Sequence, residues 1–112
     1  MQYLTEYEFE QFYKLLLNEL SEYKVIICST IYLDSETYGN ISLKNYEKAN
    51  TFLSNISDNY VDLFGELKKV VEIEGWESVF YADHFHPNER GYEYIGSRIA
   101  DNIISDILKD KT

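Results

Sequence analysis

Asp83 and His86 are the pair of residues in this chain best suited to chemistry. They stand three apart in Tyr81-Ala82-Asp83-His84-Phe85-His86-Pro87-Asn88-Glu89-Arg90-Gly91-Tyr92, a stretch that holds both histidines and the single proline. A carboxylate that accepts the Nδ1–H of an imidazole fixes its tautomer and stabilises the imidazolium. The opposite ring nitrogen is then free to act as general base toward a hydroxyl nucleophile. The bland alternative is a surface His beside a surface Asp, since D-x-x-H occurs in many loops by chance. The neighbours sharpen the reading. Pro87 biases His86 toward extended backbone, which keeps it out of a helix interior. Asn88 is a good helix N-cap, and an amphipathic stretch follows it. The spacing therefore predicts a loop that presents Asp83 and His86 side by side, pinned at its far end by a helix start.

Other residues compete for a role. His84 and His86 alternate on an extended segment and can share a face, so with Asp83 or Glu89 they offer several metal ligands. The plainer expectation for His84 is a solvated side chain. Ser29 and Ser35 lie near the end of a predicted strand, but neither has the flanking glycines of a nucleophile elbow. Cys28 is the single cysteine, so no internal disulfide and no multi-cysteine metal site can form. Its place in an apolar run predicts a buried, inert thiol.

The elements that must position the pair follow from periodicity. Thr5-Glu6-Tyr7-Glu8 has the form of a capping box. Phe9, Phe12, Tyr13, Leu16 and Leu20 then recur at helical spacing, predicting a helix over Glu6 to Glu22 with its aromatics in a core. Lys24 to Ile31 is a continuous β-branched run, as in a strand buried on both faces of a parallel sheet. Tyr32 to Asn40 is polar and reads as a loop after that strand's C-terminal end, the usual place for ligands in open parallel sheets. Leu43, Tyr46, Ala49, Asn50, Leu53 and Ile56 mark a second helix over Ser42 to Ser57. Tyr60 to Phe64 is a short strand ended by Gly65, and Glu66 to Glu74 forms one or two helical turns stopped by Gly75. A closing helix covers Glu89 to Leu108, with Gly91 and Gly96 near its start. Both glycines lower helix propensity, and a small residue there allows close approach to the sheet or the motif loop. Strands alternating with helices indicate an α/β fold with a small parallel sheet.

Composition bounds the remainder. A chain of 112 residues is a single domain with a modest core. Hydrophobic residues make up 45% and there are eleven tyrosines, which argues against disorder. A formal charge of −10 disfavours nucleic acid and anionic membrane as partners. No apolar run approaches the ~20 residues of a membrane span. Met1-Gln2-Tyr3-Leu4-Thr5-Glu6 lacks the pattern of a signal peptide, so a cytoplasmic location is expected.

The full string Asp83-x-x-His86-Pro87-Asn88-x-x-Gly91-Tyr92, followed by an amphipathic helix, resembles the last conserved block of the SGNH (GDSL) hydrolases. Those are serine esterases and acylhydrolases with a flavodoxin-like sheet. The order of helix, strand, helix and strand upstream is similar to the later half of that fold. The resemblance implies a partial flavodoxin-like three-layer architecture, with His86 as catalytic base and Asp83 as the acid that orients it. It implies no cofactor and no metal, and it gives His86 a task other than metal binding. The family's Gly-Asp-Ser block and its oxyanion-hole glycine and asparagine have no counterpart in these residues. Two function classes are therefore carried forward. One is the Asp–His portion of an ester hydrolase, either a fragment of such an enzyme or a chain that works with a separately encoded, serine-bearing N-terminal half. The other is a non-catalytic acidic binding module on the same half-fold. In either case the strand at Val25 to Ile31 is expected to have an open edge, and the helix faces at Phe9, Phe12 and Leu16 to be uncovered. A homodimer, or a tight complex with the serine-bearing partner, is the expectation from that exposure.

Overall fold

A computed structural model of the protein describes residues 5–110. The first four residues of the stretch read for a leader lie outside them. The capping box forms: Glu8 N–H donates to Thr5 Oγ1 and Thr5 N–H to Glu8 Oε1, both at 3.1 Å. Helix α1 runs Glu6–Glu19. It stops short of Glu22 because shorter-range bonds take over, from Ser21 N–H to the Asn18 carbonyl and from Tyr23 N–H to the Leu20 carbonyl.

Within the apolar run only Ile27–Cys28 pairs as strand β1, with Tyr60–Val61 as strand β2. The pair is parallel, as predicted, with Ile27 opposite Tyr60 and Cys28 opposite Val61. β2 is cut short by Asp62, whose side chain accepts from Gly65 N–H at 3.0 Å and starts a helix. Leu63 and Phe64 are thus helical rather than the end of a strand. Gly65 lies inside that helix, where a Cβ would meet the Asp62 carboxylate, instead of terminating a strand. The predicted loop after β1 holds a short helix α2, Ser35–Tyr38, capped by Asp34. Helix α3 is Asn40–Ile56, α4 is Leu63–Glu74, a single 3-10 turn covers Trp76–Ser78, and α5 is Glu89–Asp110. The class is mixed α/β, mostly helical around a two-stranded parallel sheet.

The core sits beneath the motif loop. Leu67 and Val71 of α4 pack with Val79 and Phe80, and Ile31, Trp76, Tyr94 and Ile95 close around them. Leu67, Val79 and Phe80 are 1% exposed or less. Burial of each such side chain contributes about 1.5–3 kcal/mol. The expectation of a core role for the α1 aromatics fails. Phe9 meets Phe52 of α3 at 5.9 Å, but α1 has no buried residue, and Phe12 is 54% exposed. A sheet of two strands is too narrow to cover α1, so much of that helix's apolar face stays exposed.

The molecule is flat, with extents of 41 × 36 × 20 Å and a radius of gyration of 15.5 Å. A compact domain of this length has a radius near ~13 Å. Its accessible surface is 8122 Å², against roughly 6,500 Å² for a compact monomer of its mass. Exposed apolar side chains cluster on α1, at Tyr7, Phe12, Leu15 and Leu16, and on α5, at Ile103, Ile104, Ile107 and Leu108, with others such as Ile41 and Ile73 elsewhere on the surface.

Candidate active site

The loop that carries the pair is anchored on both sides of its tip. Tyr81 N–H donates to the His86 carbonyl and Asn88 N–H to the Val79 carbonyl, both at 2.9 Å, forming a short antiparallel bridge between Phe80 and Pro87. Asn88 is the predicted cap: its Oδ1 accepts from Gly91 N–H at 2.9 Å. Its Nδ2 also donates to the Glu77 and Phe80 carbonyls, which ties the α5 start to the chain entering the loop. Gly91 allows this close approach, because a Cβ there would stand 2.0 Å from the Val79 carbonyl oxygen. Gly96 has open space around its Cα and serves no such contact.

On this frame Asp83 and His86 meet. Asp83 Oδ2 lies 2.6 Å from His86 Nδ1. Asp83 Oδ1 accepts from Phe85 N–H at 2.9 Å and His86 N–H at 3.0 Å, closing an Asx-type turn. The His86 contact, then the two backbone donors, hold the Asp83 carboxyl down at about 2. The two side chains are 43% and 64% exposed, so solvent screens the charge part of this contact and the hydrogen bonds carry it. With Nδ1 engaged by a carboxylate, Nε2 of His86 is the nitrogen placed to exchange a proton with a substrate-side group.

The motif loop is tied to the segment that follows β1. Tyr38 Oη, on the helix that follows β1, donates to the Asp83 carbonyl at 2.7 Å. The Tyr38 and Phe85 rings lie 5.4 Å apart.

His84 departs from the expectation of a solvated side chain. Its Nδ1 lies 2.8 Å from Asp34 Oδ2, and its ring stacks on Trp76 at 4.9 Å and 6°. Trp76 in turn stacks on Tyr32 at 5.0 Å and 4°. Asp34 is buried and also accepts from Glu36 N–H and the Thr37 hydroxyl. Burial alone would raise its carboxyl, but the bonds from His84, Thr37 and Glu36 outweigh that and hold it below the ordinary range. His84 has φ 55°, the left-handed region that non-glycine residues seldom occupy.

The remaining candidates have other tasks. Ser29 is buried; its Oγ donates to the Thr30 carbonyl at 2.8 Å and accepts from Phe64 N–H at 2.7 Å. Ser35 begins α2, and among the described residues neither serine is hydrogen bonded to His84 or His86. Cys28 is half-buried rather than fully buried, and burial pushes its thiol up, away from nucleophilic character. Among the described residues no three His, Cys, Asp or Glu side chains gather closely enough to hold a metal ion, and no helix is long and apolar enough to cross a membrane.

Sequence reasoning missed Asp34, Tyr38 and Trp76 as neighbours of the motif. A signal existed for Asp34 alone, as a residue type suited to a helix N-cap in the polar stretch after the apolar run. It also missed Asn50, which stands in the apolar stripe of α3 and clamps Thr30 through two bonds of 2.9 Å. Comparison of the chain with family profiles, with curated proteins and with solved structures found no match.

Proposed function

We propose that this chain is the Asp–His portion of an SGNH-type ester hydrolase, with a fold corresponding to the later half of a flavodoxin-like domain. The observation that carries the reading is Asp83 Oδ2 at 2.6 Å from His86 Nδ1, on an exposed loop tied to the segment that follows β1. The resemblance of Asp83-x-x-His86-Pro87-Asn88 to the family's last block supports it. In the reaction, His86 Nε2 takes the proton of a serine hydroxyl as that oxygen adds to the ester carbonyl, and Asp83 stabilises the resulting imidazolium. The proton then passes to the departing alcohol. Water, deprotonated by the same nitrogen, releases the acid and restores the serine.

The serine and the oxyanion donors come from polypeptide beyond these residues. Ser29 is committed to the Phe64 backbone. Accessible surface of 8122 Å² exceeds the compact-monomer value by roughly 1,600 Å², enough for a standard interface at about 800 Å² per partner. That surface fits a homodimer or a complex with a serine-bearing chain. The same exposure favours one second reading, a non-catalytic acidic module that binds through α1 and α5.

Hydrolysis of a short-chain aryl acetate tests the proposal. The purified chain is expected to show no rate beyond that of His86→Ala, because an Asp–His pair without a nucleophile or oxyanion donors lacks the main catalytic contributions. A complex with a serine-bearing chain should hydrolyse the ester and lose that activity with His86→Ala. Activity of the isolated chain that His86→Ala abolishes would place a nucleophile within these residues. A complex whose activity survives His86→Ala would remove His86 as base and leave the binding module.

A further inference from the structure

We infer that Asp34 and His84 form a positioning pair that sets the backbone of the Asp83–His86 turn. The inference rests on the reading of His86 as base for its catalytic meaning, but not for its test. Five of the six residues Tyr81 to His86 are exposed, so the core cannot hold this segment by burial. His84 is the one that turns inward. Its imidazole lies between a carboxylate on one edge, Asp34 Oδ2 at 2.8 Å, and the face of Trp76 at 4.9 Å.

The acceptor is itself fixed. Asp34 caps α2 through Glu36 N–H at 3.0 Å and takes the Thr37 hydroxyl at 2.9 Å, and its side chain is only 10% exposed. His84 is thus moored to the segment that follows β1, fifty residues away in sequence. Tyr38, at the end of the same short helix, adds a second tie at the Asp83 carbonyl.

The mooring acts on the Asp83–His86 pair through the backbone. Both N–H groups that Asp83 Oδ1 accepts, from Phe85 and His86, follow His84 in the chain. Whether they point back at Asp83 depends on the dihedrals of His84 between them. Those dihedrals are left-handed, a conformation that persists only where the surroundings over-determine it. The bond to Asp34 and the stack on Trp76 act here together with the turn bond from His84 N–H to the Tyr81 carbonyl at 2.9 Å. Asp34 and His84 therefore act on Nε2 of His86 at second hand: they hold the turn that holds Asp83, which holds Nδ1.

The competing explanation is that residue 84 needs only to tolerate a left-handed backbone. Two variants separate the explanations. His84→Asn keeps that tolerance and removes the imidazole. Asp34→Ser keeps an N-cap for α2 but is too short to reach His84. The readout is the titration midpoint of the Asp83 carboxyl, followed by its 13C shift, with far-UV circular dichroism showing that each variant is folded. In the parent chain the midpoint is expected at about 2. In His84→Asn and Asp34→Ser it should rise toward the ordinary 3.8, as the turn loosens and the donors to Asp83 are lost. Asp34→Asn retains both an acceptor and a cap, and should stay near the parent value. A midpoint that remains at about 2 in folded His84→Asn overturns the proposal, even if Asp34→Ser fails to fold. Because no step needs activity, a moved midpoint with no ester hydrolysis in any complex would uphold the positioning pair and sink the hydrolase reading.

Discussion

Replacing Gly91 by alanine measures how tightly α5 is pressed against the segment that leads into the motif loop. The added Cβ would lie 2.0 Å from the Val79 carbonyl oxygen, 3.0 Å from Pro87 Cβ and 3.1 Å from the Val79 carbonyl carbon. A tolerable C···O contact begins near ~3.3 Å, so the helix start must retreat by more than an ångström. The Val79 carbonyl cannot swing aside freely, because it already accepts from Asn88 N–H at 2.9 Å. Overpacking of this kind costs about 1–3 kcal/mol, and loss of the Asn88 bond adds about 1. Alanine returns about 1 kcal/mol of helix propensity. The net loss is about 2 kcal/mol, or roughly 10 °C in Tm at ~4–8 °C per kcal/mol. Gly96→Ala, one turn and a half later in the same helix, has nothing within 4 Å of its Cβ, and should instead stabilise by up to about 1 kcal/mol. Urea titration followed by far-UV circular dichroism gives both values. A Gly91→Ala chain as stable as the parent, or a Gly96→Ala chain destabilised as much as Gly91→Ala, would refute the close approach.

Asn88→Ala removes the α5 cap together with both donors to Glu77 and Phe80, and should cost about 1–2 kcal/mol in the same urea assay. Acid should weaken the fold through Asp83. Its carboxyl is depressed to about 2 from an ordinary 3.8, so its contribution is whole above the higher value and disappears as pH falls through the lower one. Asp34 is depressed as well and acts in the same direction. Urea midpoints measured across that acid window should fall less steeply for Asp83→Asn than for the parent; equal slopes would remove Asp83 from the account. Sedimentation at micromolar concentration should show a dimer that Phe12→Glu, on exposed α1, dissociates. A well-folded monomer in both would leave the open face without a second copy.

What was legible in the sequence is local. The capping box at Thr5, the Asn88 cap and the bias imposed by Pro87 are decided by residues within four positions of one another, and each element they predict is present. The Asp83–His86 contact belongs to the same category. Strand length was not legible, because β pairing requires a partner. The run at Val25 to Ile31 has the apolar character of a long buried strand, yet Asp62 turns its neighbour into a helix after two residues. The fate of α1 was illegible for a related reason. Its stripe of Phe9, Phe12, Tyr13 and Leu16 records that a face is apolar, not what covers it. Asp34 and His84 are joined across fifty residues, and no periodicity or spacing rule reaches that far.

The stack of Tyr32, Trp76 and His84 has an optical consequence. Trp76 is the sole indole of the chain, and an imidazole lying flat on it is placed to quench its emission by electron transfer, most strongly when protonated. Fluorescence intensity from the unlabelled protein therefore reports whether His84 is seated. Undocking of the motif loop should appear as a brightening at constant helix content, and its rate is accessible by stopped flow without altering a residue.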